Sequence, residues 1–140
     1  MEWAALISWL VTAGGGFVLF GIWYRGGGMS QTASGQHIRP PLILTHFGLA
    51  ATGLVLWIIY VISDSDALAW IAFVLLLIVA VLGFGMFTVW LQRRQALAAD
   101  ATAGTAAAPA EQRFPVPIVT LHGLLAATTL VLVFLAAIGV

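Results

Sequence analysis

Residues 41–56 read PLILTHFGLAATGLVL, and residues 117–132 read PIVTLHGLLAATTLVL. Aligned without a gap, nine of the sixteen positions are identical, His46 and His122 among them. Around that histidine each stretch offers only apolar side chains, glycine, proline and threonine. Both runs continue far enough to cross a bilayer core of about 30 Å. In hydrocarbon an isolated run of this kind satisfies its backbone polar groups only as an α-helix. Histidine is costly there, because its ring nitrogens need partners. Two histidines in register therefore point to one ligand held from both sides.

Working outward, two further apolar runs complete a set of four, with expected spans of about 4–24, 41–62, 67–91 and 117–139. The chain is 62% hydrophobic and 7% charged over 140 residues, where a soluble domain carries roughly a quarter charged residues. These values predict an all-α integral membrane protein, a four-helix bundle forming one domain over 1–140 in contact with the lipid bilayer. Net charge is zero, so no broad basic surface for nucleic acid is expected. Absence of cysteine excludes disulfides, thiolate metal sites and covalent c-type haem attachment. The start, Met1-Glu2-Trp3, lacks the basic region of a signal peptide, so the first run reads as a retained helix. Trp3, Trp23, Tyr24, Tyr60, Trp70 and Trp90 fall near run ends, as in an interfacial aromatic belt. Trp9 and Trp57 lie deeper.

Residues 25–40 and 92–116 read as long flexible loops. Ser63-Asp64-Ser65-Asp66 reads as a tight turn in which Asp64 or Ser65 caps the third helix. All five basic residues, Arg25, Arg39, Arg93, Arg94 and Arg113, lie in the two long loops. The positive-inside rule then places both loops in the cytoplasm and both termini outside, in the plasma (inner) membrane of the cell.

The first and third runs also match. GFVLFGIW at 16–23 aligns with GFGMFTVW at 83–90, sharing the first glycine, both phenylalanines and the tryptophan. The chain thus reads as two tandem helical hairpins, related by a pseudo-two-fold axis along the membrane normal.

On that layout His46 and His122 share one depth, roughly 7–8 Å inside their helices at 1.5 Å per residue. A planar ligand with two equivalent axial positions suits them, which points to a bis-histidine b-type haem with iron ligated by His46 and His122. Small residues one and two turns on, Ala50 and Ala126, then Gly53 and Thr129, leave room for a macrocycle. Gly83, Gly85 and Gly21 lie at a similar depth on the other helices. Arg39 and Arg113 stand above, where haem propionates need basic partners, with Arg25, Arg93 and Arg94 close by. The second ring nitrogen of each histidine can bond a carbonyl one turn back, such as Leu42 or Ile118. His37, beside Arg39, has no copy in the second loop and reads as solvated. Two histidines fall short of the three or four ligands of a zinc or copper site. Gly14-Gly15-Gly16 and Gly26-Gly27-Gly28 lack the context of a phosphate loop.

The arrangement resembles membrane b-type cytochromes and each half of haem A synthase, four-helix bundles with haem between histidines on helices 2 and 4. The matching positions are His46 in Leu-Thr-His-Phe-Gly and His122 in Thr-Leu-His-Gly-Leu. One histidine per helix departs from respiratory cytochrome b and implies one haem. The acidic residue that haem A synthase carries near its ligand is missing, which argues against haem-modifying chemistry. The expectation is an electron-transfer subunit, not an enzyme alone, working inside a larger membrane redox complex or a homo-oligomer and exchanging electrons with quinone. Two rivals stand beside it: a haem-free accessory subunit whose histidines lock helices 2 and 4 together, and a small transporter, disfavoured by the lack of charge at mid-membrane.

Overall fold

In the computed structural model, which describes residues 1–30, 38–99 and 109–140, four α-helices account for most of the chain. They are α1 (Glu2–Arg25), α2 (Pro40–Ser63), α3 (Asp66–Ala99) and α4 (Val116–Ala137). Each is long and apolar enough to cross a membrane. His37 and the middle of the second loop lie outside the described residues.

Local chemistry sets the helix ends. Prolines stand in the first turn of α2 and of α4, where their missing N–H costs nothing and their fixed φ suits the helix. Asp64 ends α2 in the left-handed region, at φ 58°, a conformation aspartate tolerates because its short side chain bonds locally. Ser65 opens α3 through its carbonyl, which accepts from the N–H of Leu68 at 2.9 Å. At its far end α3 runs eight residues beyond the expected boundary at 91. Residues 92–99, QRRQALAA, are good helix formers, so polarity there marks the end of the apolar run and not of the helix.

Packing proceeds around a ring. α1 lies between α2 and α4, and α3 lies between the same two, so α2 and α4 stand on one diagonal. The half of the bundle near the 63–66 turn is closely packed around Ala5, Trp9, Trp57, Tyr60, Ala69, Ala72, Leu76, Val133 and Ala136. Alanines on three helices let the backbones approach, and the two indoles fill the centre, 6.4 Å apart between ring centroids. The Trp57 Nε1–H donates to the Glu2 carbonyl at 3.3 Å.

At the arginine-rich end a short 3-10 turn, Ala110–Arg113, packs against α1 and α3. Its Glu111 is buried and accepts the Ile38 N–H at 2.9 Å. The expected aromatic belt divides here. Trp3, Tyr24 and Trp70 are exposed, whereas Trp23, Tyr60 and Trp90 turn inward and are buried.

Between the two ends the packing changes. From Ala13 to Ile22, Pro40 to Thr52, Ala80 to Val89 and Val116 to Thr128, no residue is fully buried. The four stretches lie at one height and form a single layer of the bundle.

Candidate functional site: the histidine layer

His46 and His122 both lie in this layer. Each is the seventh residue of its helix, about 9 Å from the helix start. Both rings are half-buried. The His46 Nδ1 lies 3.0 Å from the Val79 carbonyl on α3, and the His122 Nδ1 lies 3.0 Å from the Thr12 carbonyl on α1. A carbonyl only accepts, so Nδ1 carries the proton in each ring and Nε2 keeps its lone pair. The expected bonds to Leu42 or Ile118 within the same helix are replaced by bonds to a neighbouring helix. Each ring projects across the helix gap and reaches a carbonyl of the facing helix, whose second lone pair accepts the N–H beside the backbone bond it already takes.

Glycine makes the room for this. A Cβ on Gly83 would stand 3.1 Å from the His46 Cε1, and one on Gly16 would stand 3.2 Å from the His122 Cε1. Either would press on the imidazole. Gly15 also borders His122, at 3.5 Å from Nδ1. Thr12 and Val79 are 67 positions apart, as are Gly16 and Gly83, so each histidine meets its carbonyl and its glycine in the same order. Gly16 was legible in the 16–23 match but not as a contact of the histidine; the carbonyls of Thr12 and Val79 leave no trace in side-chain identity.

Other residues of the expected site are placed unequally. Ala50 and Ala126 are half-buried within the layer. Gly53 lies deeper, under the Trp9 ring, whose nearest carbons stand 3.1 Å from a Cβ built there. Thr129 is fully buried, its hydroxyl 2.8 Å from that of Ser8 and 3.1 Å from that of Thr12. Trp9 and Thr129 thus form the floor of the layer. Gly85 is exposed, and neither it nor Gly21 has an atom within 4 Å of its Cβ position. Arg39 and Arg113 are exposed at the arginine-rich end.

Among the described residues no three of His, Asp and Glu gather as a metal-binding group. The donor set is two imidazoles, each with its second nitrogen already oriented by hydrogen bonding, as ligating histidines are. That set suits an iron whose remaining donors come with a macrocycle.

Compared with known proteins, the chain matches no family model, no curated protein and no solved structure.

Proposed function

We propose that this protein holds one b-type haem between His46 and His122 and acts as a membrane electron-transfer subunit. One observation carries the proposal: both histidines are fixed through Nδ1 to a neighbouring helix, within a layer of the bundle where no described residue is fully buried. Protein interiors are otherwise close-packed, whereas side chains in this layer are all at least partly exposed. A planar group inserted in this layer would complete the packing that Trp9 and Thr129 begin below.

Haem, when bound, supplies one-electron chemistry at iron. The chain's own contribution is to orient and to exclude. His46 and His122 present Nε2; Thr12 and Val79 hold the ring planes; Gly16 and Gly83 let the rings lie close to the helix backbones; Ala50 and Ala126 keep the walls thin. Five arginines at one end support a cytoplasmic placement of that end, with both termini outside. The match of bond, glycine and spacing between the two halves supports a duplicated hairpin with its axis along the membrane normal. Partners would be a larger redox complex, or further copies of the chain, and quinone in the bilayer.

A second reading has its own observation. The histidine hydrogen bonds join α2 to α3 and α4 to α1, so a haem-free accessory subunit could use them to lock adjacent helices, though not α2 to α4 directly. The deciding experiment is a reduced-minus-oxidised spectrum of protein purified after haem-replete expression. Sharp low-spin bands support the haem reading, and their absence supports the helix-locking one.

A further inference from the structure

Four buried side-chain polar atoms have no hydrogen-bond partner among the described residues: Trp23 Nε1, Trp90 Nε1, Arg93 Nε and Glu111 Oε2. A buried polar atom left unpaired is costly, and all four here belong to the arginine-rich end. Trp23 and Trp90 are 0% and 4% exposed and Glu111 is 1% exposed. The Ala110–Arg113 turn joins them. Its Gln112 Nε2 donates to the Trp90 carbonyl at 3.4 Å. Its Ala110 side chain lies 3.0 Å from a Cβ built on Gly26, three residues past Trp23.

Their position relative to the histidines is the telling part. Trp23 follows Gly16 by seven residues, and Trp90 follows Gly83 by seven. Seven residues is about two helical turns, so each tryptophan is set on the helix face that meets a histidine, roughly 10 Å further along the axis, with the Trp23 indole seated against Gly28. That separation is comparable to the reach from the centre of a haem-like macrocycle to the ends of its acid side arms. Among the described residues five arginines and one acidic residue, Glu111, lie at this end of the bundle, so its field favours an anion.

We propose that Trp23, Trp90 and Arg93 form a carboxylate-binding pocket above the histidine layer, holding the acid arms of the macrocycle. The proposal rests on the haem reading and deepens it, because it moves the anion contacts inward from the exposed Arg39 and Arg113. Three N–H donors meet carboxylate oxygens in a site shielded from water, where charge-assisted hydrogen bonds are strongest. Glu111 closes the side of the pocket, its Oε1 held by the Ile38 N–H.

The test uses the full-length protein in detergent, titrated with iron protoporphyrin and, separately, with its dimethyl ester. Trp23→Phe and Trp90→Phe keep an aromatic ring and remove only the N–H and part of the indole. Each should weaken binding of the acid about tenfold, as expected for a hydrogen bond to a charged group, and leave binding of the ester unchanged. Arg93→Gln should do the same. Equal weakening of acid and ester would report packing damage and overturn the pocket, as would no weakening of either. A phospholipid retained by the wild type but lost from the variants, with acid and ester bound alike, would overturn it in favour of a lipid-headgroup site. Failure of the wild type to bind either macrocycle overturns the haem reading itself, and the pocket with it.

Discussion

The imidazole of His122 on α4 donates to the Thr12 carbonyl on α1, and the Thr12 side chain is tied back to α4 through the Thr129 hydroxyl. Thr129 also meets Ser8, so three hydroxyls and one imidazole stitch α1 to α4 within the apolar interior. Around His46 the corresponding positions are Leu75, Val79 and Gly53, where Trp9 fills the space. The two histidines are held alike through Nδ1, but on a polar floor in one case and an apolar floor in the other.

Thr129→Val should break this stitch while conserving volume. Hydrogen bonds between membrane helices average about 0.6 kcal/mol and reach about 1.7 kcal/mol, so a loss of roughly 1 kcal/mol is expected in reversible unfolding in detergent micelles. A larger loss than with Thr128→Val, whose hydroxyl reaches only the Leu124 carbonyl of its own helix, would identify the inter-helix bonds as the cause. Equal effects would count against them.

Ligation makes the sharpest demand. His46→Ala and His122→Ala should each abolish or convert a low-spin haem spectrum, and His37→Ala should leave it intact. A haem that survives both single substitutions unchanged is bound elsewhere.

The glycines offer a steric control. Gly16→Leu and Gly83→Leu should displace the adjacent imidazole and lower haem occupancy by tenfold or more. Gly85→Leu, two residues from Gly83 but with open space around its Cβ position, should not. Haem content per protein, from the pyridine haemochrome spectrum, reads this directly, and equal loss at all three sites would discard the cradle.

Orientation can be tested without the cofactor. A cysteine at Ser63, exposed at the end of α2, should react in whole cells with an impermeant thiol reagent, and one at Ser30, exposed at the arginine-rich end, should react only after permeabilisation. The reverse pattern would invert the proposed topology.

In sealed vesicles of known orientation an impermeant reductant should reduce the haem faster from the arginine-rich face. His46 and His122 sit about 9 Å from the start of their helices at that end, within a bilayer core about 30 Å thick. Equal rates from both faces would reject the placement.

Much of this was legible in residue order alone. Apolar runs of sufficient length, bounded by polar segments, dictate four helices long and apolar enough to cross a membrane, because in lipid the backbone has no other way to satisfy its hydrogen bonds. The repeated PxxxxH pattern places both histidines at one depth by helix rise alone. What the sequence could not determine is direction around each helix axis. Trp23 and Trp90 lie near run ends, as Tyr24 and Trp70 do, yet the first two are buried and the second two exposed, since neighbouring helices decide which face is covered. The hydrogen bonds of His46 and His122 were likewise open until Val79 and Thr12 were brought within 3.0 Å, because a carbonyl belongs to every residue and only tertiary packing selects one. Composition and periodicity thus determine that the chain forms helices and how deep its histidines lie, while inter-helix packing decides which atoms they meet.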